Sequence, residues 1–105
     1  MFSQFFTDID RFEDYKDYYL KESQEALMLE IDMPGFTEED LAITIEGRHL
    51  KIRGERKMGR ELKINRAFTM SGTLDPHGVV AELKNGLLLI TLPKVAPKMI
   101  EVKVR

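Results

Sequence analysis

The residues of this 105-residue chain that could do chemistry are two histidines and a few clustered carboxylates. His49 falls in a predicted strand and His77 in a predicted turn, and the chain has no cysteine to join either of them in a metal site. Asp8 and Asp10 are close only along the chain. The acidic run at 38–40 follows a threonine, which is typical of a short helical start. The sequence therefore predicts no catalytic set, no metal site and no cofactor, and so no enzyme.

Composition limits the remaining classes of protein. With 43% hydrophobic residues the chain can form one core. Its net charge is −2, and positive and negative side chains are mixed along the sequence. This mixture has no basic stripe for nucleic acid and no polybasic cluster for a membrane surface. The first residues, "MFSQFFTDIDRF", lack the pattern of a signal peptide, and no apolar run is long enough to span a bilayer. We expect a cytoplasmic protein with neither nucleic acid nor a membrane as partner.

From Glu25 onward the hydrophobic pattern alternates with a period of two and is broken by turn residues. One strand is predicted to run through about Asp32, before Pro34-Gly35. The segment at 41–46 sets its aliphatic side chains on one face, and Gly47-Arg48 is the predicted turn into a strand at 49–56. A Met58-Gly59 turn precedes "ELKINRAFTM", the next predicted strand.

The last predicted hairpin has the clearest turn. Asn85-Gly86 is a preferred pair for a type I′ turn because both positions require positive φ. The run Leu87–Leu92 is so apolar that we expect it to be covered on both faces, and Pro93 ends it. Short strands with a turn every eight to twelve residues predict an all-β, immunoglobulin-like sandwich of two antiparallel sheets with seven or eight strands.

The aromatic residues are concentrated at the start of the chain. Seven of the nine lie in the first 19 positions, so the core is expected to be mainly aliphatic. Two interpretations of this N-terminal arm stay open. It folds back as a cap on the sandwich, or it is an exposed apolar surface that adapts to a partner. The periodicity of the first 16 residues is weakly helical.

Three ordered motifs resemble those of the small heat-shock proteins, which share the α-crystallin domain. "AELKNGLL" at 81–88 is followed by "LPK" at 92–94. The stretch "DMPGFTEEDLAITIEGRHLKIRGERK" matches a second family motif, with Pro34-Gly35-Phe36, Leu41 and Gly54-Glu55-Arg56 in register. "INRAFTM" is similar to the strand that carries the family's arginine, here Arg66. The resemblance covers about residues 18–104. It divides the chain into an aromatic arm at 1–17, an α-crystallin domain at 18–94 and a C-terminal extension at 95–105.

The resemblance implies an ATP-independent holdase that binds partly unfolded client proteins and prevents their aggregation. An arm rich in Phe and Met could cover many apolar shapes without a chemical step. The expected client-binding residues of the arm are Phe2, Phe5, Phe6 and Phe12.

The family's second binding surface is a groove between two edge strands, filled by an Ile-x-Ile/Val motif. Carried over to this sequence, the motif is Ile100 and Val102. The groove would then be lined by Ile43, Ile45, Val79 and Ala81. The linker after Lys94 is short, so the motif docks either on its own subunit or on a near neighbour.

Relatives from bacteria and plants exchange a strand carried on a long loop, but only "MGRELKINR" lies between Lys57 and Ala67 here. We therefore expect either edge-to-edge pairing of the "ELKINRAF" strands, as in the animal relatives, or a weak dimer. The expected interface residues are Leu62, Ile64 and Arg66. The brief arm further predicts a modest homo-oligomer.

A second function fits the same fold. Co-chaperone domains use this sandwich to bind a folded partner, so the chain could be an interaction module instead of a holdase. The Asn-Gly motif, the Ile-x-Val extension and the aromatic arm favour the holdase. A purely structural subunit has no specific support in the sequence.

Overall fold

The computed structural model of the chain describes residues 6–10, 18–95 and 101–105, and for 6–10 it gives the course of the backbone alone. The expected client-binding residues Phe2, Phe5 and Phe12, the side chain of Phe6, and Ile100 of the docking motif lie outside these described parts.

The described residues form an all-β sandwich of two four-stranded antiparallel sheets. The first sheet has the order β1-β6-β5-β4 and the second the order β2-β3-β8-β7. Single 3-10 turns at Glu38–Asp40 and Pro76–Gly78 occupy two of the connections. The strands are β1 (Phe6–Asp10), β2 (Tyr18–Glu22), β3 (Ala26–Asp32), β4 (Leu41–Glu46), β5 (His49–Arg56), β6 (Leu62–Met70), β7 (Val80–Lys84) and β8 (Leu87–Pro93).

The predicted turns lie where the sequence places them. β4 and β5 join through Gly47-Arg48, and β7 and β8 join through Asn85-Gly86. Asn85 has φ 52 and Gly86 has φ 79, so both turn positions are in the left-handed region that a type I′ turn requires. Thr37 precedes the acidic 3-10 turn, and its backbone N–H donates to Asp40 Oδ2 at 2.9 Å. The side chain of Asp75 accepts a hydrogen bond from the backbone of His77 in the second such turn.

The core between the sheets is mainly aliphatic, as predicted. Alternate residues of β3, β5 and β8 are fully buried, and Phe36 and Phe68 are its aromatic members. The remaining core side chains are Leu27, Leu29, Ile31, Met33, Leu50, Ile52, Ile64, Met70, Leu74, Leu88, Ile90 and Leu92. Burying one such side chain stabilises the fold by about 1.5–3 kcal/mol before chain entropy is counted.

Two expectations about the strands need correction. β8 is buried on one face only, because Leu88, Ile90 and Leu92 point into the core while Leu87 and Leu89 are half-buried on the outside. The prediction that this strand is covered on both faces is therefore wrong. The weak helical periodicity near the N-terminus is also misleading, since residues 6–10 form a strand that pairs with β6.

Gly54 and Phe36 explain why two of the sequence motifs occur together. A Cβ built on Gly54 would lie 3.0 Å from Phe36 Cε2 and 2.8 Å from Leu41 Cδ2, so the ring of Phe36 fills the space that a side chain would need. Two residues further along β5, Arg56 donates to the backbone oxygens of Pro34 and Arg60. The motif at 54–56 therefore holds the loop that contains Pro34-Gly35-Phe36 against the sandwich.

Candidate functional site: a groove between the end strands of the two sheets

A groove with both aliphatic and charged side chains along it opens where the two end strands β4 and β7 face each other across the sandwich. Each is the last strand of its sheet, so the two sheets diverge at this edge with no strand between them among the described residues. The groove has a volume of about 370 Å³. It is lined by Leu41, Ile43, Ala81, Leu83 and Leu88, with Glu38, Glu82 and Lys84 at the rim.

The alternation of the strands directs these side chains inward. Leu41 and Ile43 are half-buried on the core-facing side of β4, and Leu83 occupies the equivalent side of β7. Leu88 is 1% exposed and forms the floor. The groove can therefore take apolar side chains from an extended segment and cover them on several sides, which is the requirement of a peptide-binding cleft.

Two of the four residues predicted for the groove line it, namely Ile43 and Ala81. Ile45 and Val79 pack against the core. Ile45 lies two residues beyond Ile43 on the same face of β4, whereas Val79 lies just before the start of β7, two residues ahead of Ala81. The lining residues that the sequence reasoning missed are Leu41, Leu83 and Leu88. The period-two pattern could have found two of them, because Leu41 lies two residues from Ile43 and Leu83 lies two residues from Ala81, on the same faces of their strands.

The predicted subunit-interface residues lie on β6, and their side chains differ in environment. Leu62 is half-buried, whereas Ile64 is 4% and Arg66 0% exposed. The guanidinium carbon of Arg66 lies 5.1 Å from the ring centre of Tyr18 and 5.2 Å from that of Phe68. These two rings meet edge to face, with centres 5.4 Å apart. Ile64 and Arg66 therefore point into the chain's own core. Contact with another copy along β6 would be made by the backbone of this strand and by its outward-pointing side chains.

Polar side chains near the strand ends connect neighbouring segments of the sandwich. Arg48 donates to the backbone oxygens of Ser71, at 2.7 Å, and Leu74, at 2.9 Å. At the end of β4, Lys51 donates to Glu46 Oε1 at 2.8 Å, and this hydrogen bond with the nearby positive charge lowers the pKa of the exposed Glu46 carboxyl. His49 Nδ1 lies 3.3 Å from the Thr69 hydroxyl oxygen on the neighbouring strand.

These polar groups do not form a chemical site. Within the described residues, no three His, Asp or Glu side chains come together in a way that could hold a metal ion. The same part of the chain contains no helix that is long and apolar enough to cross a membrane.

Two antiparallel sheets packed face to face, with a groove between their end strands, define an immunoglobulin-like sandwich with an accessible edge site. The chain belongs to the Hsp20/alpha crystallin family, whose model matches residues 19–105. The predicted family and fold class are thereby confirmed.

Similar proteins come from bacteria and plants. The chain is 33% identical over 101 residues to Spore protein SP21 of Stigmatella aurantiaca, an alignment that covers 81% of this chain and 60% of that protein. It is 40% identical over 86 residues to the mitochondrial 23.6 kDa heat shock protein of Arabidopsis thaliana, covering 72% of this chain and 41% of that protein. The chain thus spans less than two thirds of the length of these curated relatives.

The solved structure of a small heat-shock protein from Xylella fastidiosa superposes with a TM-score of 0.69 at 26% identity, covering 83% of this chain and 94% of that one. This agreement extends over most of the sandwich.

Proposed function

We propose that the chain is an ATP-independent holdase that binds partly unfolded proteins and keeps them from aggregating. The observation that carries the proposal is the open groove between β4 and β7, with aliphatic side chains on its walls, in a member of this family. A denaturing protein exposes apolar surface, and covering it stabilises the complex by roughly 25 cal/mol per Å². Such binding requires contact area and adaptability but no catalytic step.

Aromatic residues of the arm are the proposed client-binding surface. Phe2, Phe5, Phe6 and Phe12 give this segment four large apolar side chains. Replacing Phe2, Phe5 and Phe6 by serine should lower the suppression of aggregation and leave the sandwich folded. A matched control is Met58→Ser, because Met58 is 69% exposed in the β5–β6 loop and lies outside the arm. Equal suppression by both variants would assign client binding to the groove.

The groove is the proposed docking site for the C-terminal motif. Burying the side chains of Ile100 and Val102 there would contribute about 3 to 5 kcal/mol gross, before the cost of ordering the extension. Val102 is 79% exposed in the described extension and so offers apolar area to bury. The start of the extension is fixed, because the backbone N–H of Val95 donates to the oxygen of Thr73 at 2.8 Å.

Substitutions in the extension test this docking. Ile100→Ala with Val102→Ala should shift the assembly to smaller species in multi-angle light scattering. The matched control is Val104→Ala, which changes a residue that is 90% exposed and adjacent to the motif. Identical masses for the two variants would mean that the motif does not link subunits.

Self-association is proposed to use the edge of β6. The connection at 57–61 contains no strand in the structure, so it offers nothing to exchange between subunits. Leu62, Ile64 and Arg66 remain the proposed interface segment, with their backbone available on the side away from β5. Lys63 and Asn65, which are exposed, would supply the side-chain contacts.

The decisive experiment is light scattering from a heat-aggregating test enzyme with an equimolar amount of this protein and no nucleotide. The holdase proposal expects scattering to fall. Unchanged scattering at every ratio, with a folded protein by circular dichroism, would favour an interaction module that binds a folded partner. The predicted cytoplasmic location also stays a proposal, since one relative is named as mitochondrial. Imaging of the tagged chain in its own cells tests it.

A further inference from the structure

The turn between β7 and β8 contains a pair of residues that can react with each other. In an asparagine followed by glycine, the backbone nitrogen of the glycine can attack the asparagine side chain, because no glycine side chain hinders the approach. Asn85-Gly86 is the only such pair in the sequence, and the other asparagine, Asn65, is followed by arginine. Asn85 is exposed to solvent. The pair therefore needs nothing beyond water to react.

The reaction replaces the side-chain amide by a carboxyl group. The backbone nitrogen of Gly86 forms a bond to Cγ of Asn85, and the side-chain nitrogen leaves as ammonia with the proton that the backbone nitrogen gives up. Water then opens the resulting cyclic imide at one of its two carbonyl carbons. Opening at Cγ gives aspartate. Opening at the main-chain carbonyl carbon gives isoaspartate, in which the chain continues through the former side chain.

The folded turn holds the reacting atoms apart. Asn85 has φ 52 and Gly86 has φ 79, as in a type I′ turn. In such a turn ψ of the first central residue is about +30°, and this value places the next backbone nitrogen on the side of Cα away from Cβ. Attack requires that nitrogen to lie on the same side as Cβ. The main chain must therefore rotate about Asn85 before the new bond can form.

The loop at 33–36, which follows β3, holds the turn in this conformation. The backbone N–H of Met33 donates to the oxygen of Gly86 at 2.7 Å, and Met33 is fully buried in the core. A Cβ built on Gly86 would lie 3.4 Å from Pro34 Cα, so the turn and the loop are in close contact. Arg56 donates to the oxygen of Pro34 at 3.0 Å and fixes the loop in turn. Rotation about Asn85 therefore requires the turn to move away from this loop.

We propose that Asn85 is a conditional modification site, which the folded hairpin protects and which converts to aspartate or isoaspartate when the turn opens. Local opening of a native structure has its own free energy, and a reaction of the open form follows its population when closing is fast. The converted fraction thus records how long the turn has spent open. Because the reaction needs only the turn, it is independent of what the groove binds.

The two products differ in their effect on the hairpin. Aspartate keeps the main chain unchanged and tolerates positive φ, so the turn can form again. Isoaspartate lengthens the main chain, and the pair Lys84↔Leu87 that closes the turn then loses its register. The next pair, Leu83↔Leu88, lines the groove. Conversion to isoaspartate should therefore disturb the groove, whereas conversion to aspartate should not.

Rates of deamidation in the folded and the unfolded chain test the protection. The full chain is incubated at mildly alkaline pH in guanidinium chloride or in an equal concentration of sodium chloride, and circular dichroism confirms the two states. Mass spectrometry of the peptide that contains Asn85 measures conversion, and a protease that cuts before aspartate but not before isoaspartate separates the products. We expect conversion to be at least about tenfold slower in the folded chain.

The second asparagine is an internal control for this experiment. In the unfolded chain Asn65 should convert more slowly than Asn85, because the arginine that follows it hinders the attack. Equal rates at Asn85 in the folded and unfolded chains would overturn the protection. Absence of conversion at Asn85 in the unfolded chain would overturn the modification site itself.

Arg56→Ala tests whether the loop at 33–36 protects the turn. Loss of the hydrogen bond to Pro34 should loosen the loop and raise conversion at Asn85 at least about twofold in the folded chain, with no change in the unfolded chain. Lys57→Ala is the matched control, because Lys57 is the next residue and is exposed. An unchanged rate in the folded Arg56 variant would overturn the role of the loop.

Asn85→Gly separates the effect of the modification from that of the incubation. This variant can adopt positive φ but cannot deamidate. After incubation unfolded and then refolding, the urea midpoint of the wild type should fall below that of the variant treated in the same way. Equal midpoints, with isoaspartate detected in the wild type, would contradict the expected damage to the hairpin.

Discussion

Replacement of Gly54 by alanine tests the packing that connects the core to the groove. The new Cβ would be 2.8 Å from Leu41 Cδ2 and 3.0 Å from Phe36 Cε2, closer than such carbons pack. Phe36 is 6% exposed and cannot move outward without losing buried area. Overpacking of this kind costs about 1–3 kcal/mol. Removing a glycine from a strand returns about 0.5–1 kcal/mol, so the net loss of stability should be about 0.5–2 kcal/mol.

The assay is urea unfolding followed by circular dichroism at one fixed protein concentration, since self-association would otherwise shift the midpoint. Gly72→Ala is the matched control, because the nearest atom to its new Cβ, Arg48 Nη2, is 3.9 Å away. We expect the Gly72 variant to be as stable as the wild type or slightly more stable. Leu41 also lines the groove, so Gly54→Ala should weaken docking of a peptide that carries the C-terminal motif. A Gly54 variant as stable as its control would refute the packing argument.

Three further substitutions probe separate features of the fold. Arg66→Ala should destabilise by about 2–4 kcal/mol in the same urea assay, because it empties a fully buried site between two aromatic rings; a loss below that of the Gly54 variant would contradict this. Asn85→Val should cost about 1–2 kcal/mol, since a β-branched residue is strained at φ 52, whereas Asn85→Gly should cost little. The lowered pKa of Glu46 means that any stabilisation by its ion pair is present above the ordinary carboxyl pKa and is lost as the pH falls through the lowered value. Because water screens this exposed pair, Glu46→Gln should leave the urea midpoint unchanged at both pH 7 and pH 4.

The sequence predicted the sandwich well because its local signals and its core agree. Asn85-Gly86, Gly47-Arg48 and the acidic turn at 38–40 each specify one connection, and the alternation between them assigns an inward face. Of the four residues predicted to line the groove, Ile43 and Ala81 do so, since the pattern defines a face but not how far along two edge strands the sheets diverge. The position of Leu88 as its floor depends on packing across the two sheets.

Residues 6–10 form a strand for a reason that lies elsewhere in the chain. A segment with two aspartates in five residues has little strand preference of its own. It forms a strand because it pairs with the edge of β6. The outer face of β8 was misjudged in a similar way. Its leucines suggested two buried faces, but only the contacts of the folded sheet determine that Leu87 and Leu89 stay half-exposed.

The two arginines that hold the loops have a consequence for how this chain can diverge in sequence. Arg48 and Arg56 donate to main-chain oxygens, and every residue type provides such an oxygen. Ser71 and Arg60 can therefore change identity without losing the bond that fixes their loop. The arginines themselves cannot change so freely, because lysine lacks the planar fork that reaches two acceptors. The loops can thus accumulate substitutions while their positions against the sandwich are preserved.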